Sequence, residues 1–93
     1  MTKPVVITLE RFGSQCPTQW DARTEDGRDL YIRYRWGRLR AGFQTSEWWD
    51  WIYDEQVGPE GDGFMTTDDM MEYTREVIDW SRLPIYIWSG KKV

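Results

Sequence analysis

The chain has 93 residues and a net charge of −4, which limits it to one domain with one modest core and leaves no room for a second folded unit. It carries no histidine and a single cysteine, so Ser-His and Cys-His catalysis, nearly all zinc sites and an internal disulfide are excluded together. Composition thus argues against an enzyme and implies no metal or other cofactor.

Aromatic residues make up 16% of the chain, with seven Trp and five Tyr, and they offer large buried area to a core short of Leu, Ala and Val. Charge is divided along the sequence: residues 1–44 sum to +3 and residues 45–93 to −7. Such a split either neutralises itself inside the fold or leaves opposed patches that steer partners. Met1 to Glu10 has no charged-then-apolar leader, and there is no apolar run near 18 residues. A cytoplasmic protein without a membrane segment is expected.

In chain order, Val5 to Phe12 alternates with Val5, Ile7 and Leu9 on one side and Val6, Thr8 and Glu10 on the other, the pattern of a half-buried strand. Gly13 to Pro17 breaks it. Thr18 to Phe43 reads as a three-stranded meander. Trp36-Gly37 as a two-residue loop places Arg35 opposite Arg38, Tyr34 opposite Leu39, Arg33 opposite Arg40 and Leu30 opposite Phe43, which sorts apolar and basic residues onto opposite faces. For the preceding turn, a three-residue loop of Glu25, Asp26 and Gly27 with a left-handed glycine pairs Ala22 with Leu30, Trp20 with Ile32 and Arg23 with Asp29.

Glu47 to Val57 fits a helix or a strand; its Trp, Ile and Tyr content favours the strand. Gly58 to Gly63 is a loop on either reading. Thr66 to Ser81 is predicted as an amphipathic helix, with Thr66 as N-cap, Met65 and Met70 as a hydrophobic staple, and Pro84 marking its end. Ile85 to Trp88 is a short strand candidate, followed by a basic tail at Gly90 to Val93. The expected fold is α+β: a curved, mostly antiparallel meander of four to six strands packed against one amphipathic helix.

The feature most in need of explanation is the hairpin face carrying Arg33, Arg35, Arg38 and Arg40 beside Tyr31. Like charges opposite one another on neighbouring strands are destabilising, so a counter-charge is expected. It could be internal, from Asp21, Asp50 and Asp54. It could instead be an anionic partner: guanidinium forks suit carboxylate and phosphate, and Tyr31 or Trp36 could stack on a base.

Two further candidates are weaker. The predicted helix carries Asp68, Asp69, Glu72, Glu76 and Asp79 with only Arg75 among them; this is an ordinary solvated face or a stripe that imitates phosphates. Trp48, Trp49 and Trp51 suit a core, yet three near-consecutive tryptophans cannot all point inward, so an exposed Trp such as Trp48 would offer an interface anchor. Asp54, Glu55, Glu60 and Asp62 lack the spacing of a calcium loop, and Cys16 has no histidine to activate it.

The segments Cys16-Pro17-Thr18-Gln19-Trp20, Asp26-Gly27-Arg28 and Leu30-Tyr31-Ile32-Arg33-Tyr34-Arg35-Trp36-Gly37 resemble short uncharacterised proteins of bacteriophages and actinobacteria. Glu55-Gln56-Val57-Gly58 and Gly61-Asp62-Gly63 extend the likeness to roughly three quarters of the chain. The resemblance implies a phage-type accessory protein in the host cytoplasm that binds and blocks a host protein. It transfers no site residues. The expected function is therefore non-enzymatic binding of a macromolecular partner through the arginine hairpin, an exposed tryptophan or the acidic helix, with nucleotide or nucleic-acid binding by the arginine face as the alternative.

Overall fold

In the computed structural model, which describes residues 3–14 and 17–83, five antiparallel strands form an open curved sheet in chain order. They are β1 (Val6–Ser14), β2 (Thr18–Thr24), β3 (Asp29–Arg35), β4 (Arg38–Gln44) and β5 (Trp49–Gln56), followed by the helix α1 (Thr67–Thr74). The α+β meander expected from the sequence is the observed architecture. Cys16, the Ile85–Trp88 strand candidate and the basic tail lie outside the described residues.

The central register agrees with the one derived from face segregation. Arg33 faces Arg40, Tyr34 faces Leu39, Ala22 faces Leu30 and Arg23 faces Asp29. Gly27 takes φ 88°, the left-handed conformation that the three-residue loop demands. One slip in this register would have put the arginines among the core residues, and burial of unpaired charge costs far more than any hairpin contributes.

At β1 the strict alternation fails. Val6 pairs with Thr24 and Thr8 with Arg23, so Ile7 is an extra residue in a bulge. Val6 and Leu9, rather than Val5, Ile7 and Leu9, are the residues buried in the core.

The helix is also shorter than expected, eight residues in place of a run to Ser81. Its N-terminus is as read: the Thr66 hydroxyl accepts from the Asp69 amide at 3.1 Å, and Met65 and Met70 are both buried. Its end is set by electrostatics and by competition. No basic residue occupies the last turn, while Glu72 and Glu76 lie near the negative end of the dipole. The chain then leaves to pair with the sheet, Asp79 accepting from the Val6 amide at 3.0 Å and donating to the Pro4 carbonyl at 2.9 Å. The outer edge of β1 is covered at that point. The β5 edge instead carries Asp50, Asp54 and Glu55, charges that discourage pairing with another strand.

The two faces of the sheet are unlike. One packs Trp20, Leu30, Ile32, Tyr34, Leu39, Ala41 and Phe43 against Met70 and Ile78, with the Trp20 indole donating to the Thr67 hydroxyl at 3.0 Å. The other face has no layer of described residues over it.

Candidate binding face

The open face is assembled by register. Across β2, β3, β4 and β5 one row reads Gln19, Arg33, Arg40, Asp54, and the next toward the hairpin tip reads Arg35, Arg38, Gln56. Asp54 lies between two guanidinium groups, 2.5 Å from Arg38 Nε and 3.1 Å from Arg40 Nε. The Arg38 hydrogen bond chiefly, with that from Arg40, holds the Asp54 carboxyl below the usual carboxylate range.

Compensation stops there. Asp21 faces Glu10 and Tyr31, not the arginines, and partial desolvation with repulsion from Glu10 and Asp29 pushes its carboxyl up. Asp50 is exposed opposite Phe43. Of the three carboxylates expected to neutralise the patch, Asp54 alone does so, and only for the β4 arginines. Arg33 and Arg35 form no ion pair among the described residues. Arg35 lies over the Trp36 ring at 5.3 Å.

Next to the arginines runs a series of aromatic rings. Tyr31 contacts Trp49 with ring centroids 5.3 Å apart, Trp49 stacks on Trp51 at 5.1 Å and 11°, and Arg40 sits over Trp51 at 5.2 Å. The Tyr31 hydroxyl is tied to Gln19 Oε1 at 3.0 Å. A second bulge creates this arrangement: Ala41 pairs with Tyr53 and Gly42 with Trp51, leaving Ile52 as the extra residue. Ile52 and Tyr53 then both pack toward the core, while Trp51 turns outward over Gly42. A Cβ at position 42 would run into the Trp51 ring, so glycine is required there. The tryptophan cluster expected in the core is consequently on the open side: Trp49 is 37% exposed, and Trp48, in the β4–β5 turn, is 64% exposed.

At the hairpin tip, Trp36 and Gly37 both have positive φ, 58° and 74°, as a type I′ turn requires. Glycine accepts this freely, whereas a bulky L-residue in the left-handed region costs about 1–2 kcal/mol. The loop after β5 holds the tip in place. The Gly37 amide donates to the Asp62 carbonyl at 2.7 Å, the Val57 and Gly58 amides donate to the Gly37 carbonyl at 2.9 and 3.0 Å, and the Gln56 side-chain Nε2 donates to the Trp36 carbonyl at 2.8 Å. Beneath it the Tyr34 hydroxyl donates to Asp62 Oδ2 at 2.7 Å; burial first, and the Asp62 carboxylate second, push this phenol up to about 12. A clamped tip presents Trp36 at 55% exposure in a fixed orientation.

Arg33, Arg35, Trp36, Arg38, Arg40, Gln56 and Glu60 together line a groove of about 490 Å³. The sequence-derived residues Tyr31, Arg33, Arg35, Trp36, Arg38 and Arg40 thus share one face. Asp69, Glu72 and Glu76 do not join them, because α1 and the segment after it cover the opposite side. Asp69 is in the first helical turn, Glu72 is 3.7 Å from Arg75, and Glu72 and Glu76 line a second groove, along β5, with Trp51, Tyr53, Asp54 and Tyr73. Trp49, Trp51 and Gln56 were not singled out as site residues from sequence. The available signal was Gly42, an isolated glycine inside a strand, which marks a bulge or a close approach.

Among the described residues no group of three or more Cys, Asp or Glu is arranged to hold a metal ion, and no helix is long and apolar enough to cross a membrane. No protein family matches the chain, and comparison with curated proteins and with solved structures gives no match.

Proposed function

We propose that this protein is a non-enzymatic binding module that engages an anionic surface of a macromolecular partner through the open face of its sheet. The observation that carries the reading is the unequal treatment of the four arginines: Asp54 serves Arg38 and Arg40, while Arg33 and Arg35 form no ion pair among the described residues, although Glu60 lines the same groove. A fold that needed the patch neutral would have placed Asp21 or Asp50 against them. Trp36 adds a second support. An exposed tryptophan in a backbone conformation suited to Gly or Asn costs stability, and residues of that kind cluster at binding sites. The resemblance to phage accessory proteins fits the same reading, with a host macromolecule in the host cytoplasm as the partner.

The test is capture from host-cell extract, with and without nuclease, comparing the wild type with an Arg33→Gln/Arg35→Gln variant of unchanged melting temperature. Loss of the captured partner in the variant is expected. An identical bound set from both proteins would remove the arginine face from function.

A further inference from the structure

We propose that the open face takes single-stranded nucleic acid, bases stacking on its aromatic rings and phosphates on Arg33 and Arg35; this rests on the binding role assigned above. What accompanies the charge distinguishes the ligand. An acidic protein surface asks only for guanidinium groups. Here, however, a ring series of Tyr31, Trp49 and Trp51 runs beside the arginines, with centroid spacings of 5.3 and 5.1 Å. Trp36 stands at the other end of the same basic stretch with more than half its surface free.

Along β3, Tyr31, Arg33 and Arg35 point to the same side and recur at about 6.6 Å, two residues of strand rise. Ring, cation, cation and then Trp36 thus follow one line along β3. That order suits a strand whose splayed bases stack on the rings at either end and whose intervening phosphates meet the two arginines, and stacking on rings is available to every base. A duplex keeps its ring faces hidden inside the helix, so it can use the arginines but not the rings.

The site is bounded as well. Glu10, Asp21 and Asp29 occupy the far corner of the same face, Asp54 sits on the β5 side and Glu60 lines the groove from the loop after β5, so carboxylates confine phosphates to the stretch along β3. The footprint is correspondingly short, about two or three stacked bases.

The experiment titrates the purified full chain with fluorescein-labelled oligo-dT and oligo-U ten-mers, and with a duplex of the same length, at 50 and 200 mM salt. Intrinsic tryptophan fluorescence and label anisotropy are recorded together. The single strands should bind with quenching of tryptophan emission, and more tightly than the duplex. Arg33→Gln/Arg35→Gln should lose about tenfold in affinity, and the slope of log affinity against log salt should flatten by about 1.4, the share of two phosphates on a single strand. Trp49→Ala, and independently Trp36→Asn, should lose affinity by a similar factor with the salt slope unchanged. No binding of single strands at 50 mM salt, equal or tighter binding of duplex, or binding without quenching overturns the inference. If single strands fail while the arginine variant loses a nuclease-resistant partner from extract, this inference falls and the binding reading stands. An extract set insensitive to the arginine variant sinks the reading itself.

Discussion

The two faces of one five-stranded sheet use the same strands for opposite ends. The closed face carries Trp20, Leu30, Ile32, Tyr34, Leu39 and Phe43, all under 10% exposed, and the Trp20 indole and Tyr34 hydroxyl are hydrogen-bonded to Thr67 and Asp62. The open face is built from alternate residues of those strands and accumulates features that cost stability: two like-charge cross-strand pairs, a half-exposed ring series and a tryptophan at positive φ. A face with no task would be expected to shed such features. Stability and binding are therefore separable by face, and substitutions can show where that separation fails.

The largest effect belongs to the closed face. Leu39→Ala removes a fully buried side chain and should cost about 2–5 kcal/mol in urea unfolding. A smaller loss would mean that the core is less consolidated than its burial implies.

Next is the clamp under the hairpin tip. The Tyr34 phenol is raised to about 12, so the folded state holds this proton more tightly than the unfolded chain. Its contribution is present below pH 10 and fades as pH rises from about 10 to 12, by an amount on the order of 2 kcal/mol. Tyr34→Phe should remove that alkaline component from a stability-versus-pH curve, and a curve of unchanged shape would count against the clamp.

Trp36→Asn creates an Asn-Gly type I′ turn, and it should raise stability by about 0.5–1 kcal/mol while weakening binding. This opposition is specific to the account, because a tryptophan serving the fold would lose both. The smallest stability effect is expected at Asp54, whose ion pairs are half-exposed: Asp54→Asn should change stability by less than about 1 kcal/mol and strengthen binding of an anionic partner severalfold.

Much of this was legible in the sequence because segregation by face is a strong constraint. Burying Arg33 or Arg40 is so costly that the hairpin register follows from the positions of Leu30, Ile32, Tyr34, Leu39 and Ala41. The loop Glu25–Gly27 followed from the same logic. The bulges at Ile7 and Ile52 could not be read from the alternation, since a period-two pattern cannot announce an inserted residue; Gly42 alone signalled the second. Ile7 therefore turned Val6 inward while Leu9 kept its side, and Ile52 swung Trp51 and Trp49 out of the expected core. The helix end was misread because its apolar spacing continues through Val77 and Ile78. What stops it is an acidic C-terminal turn together with pairing of Asp79 to β1, a tertiary contact. At the site, the sequence supplied the arginines and Trp36. Which carboxylate compensates them depended on the β5 register, and that assigned Asp54 in place of Asp21 or Asp50.

The central claim is that Arg33 and Arg35 serve a partner and not the fold. Its most direct test needs no ligand: urea unfolding of wild type and Arg33→Gln/Arg35→Gln at 20 mM and 500 mM salt. Relief of the Arg33–Arg40 and Arg35–Arg38 oppositions should leave the variant equal to or slightly more stable than wild type at low salt, with the difference vanishing at high salt. A variant destabilised by more than about 1 kcal/mol at both salt concentrations would place these arginines in the fold's own stability and contradict the account.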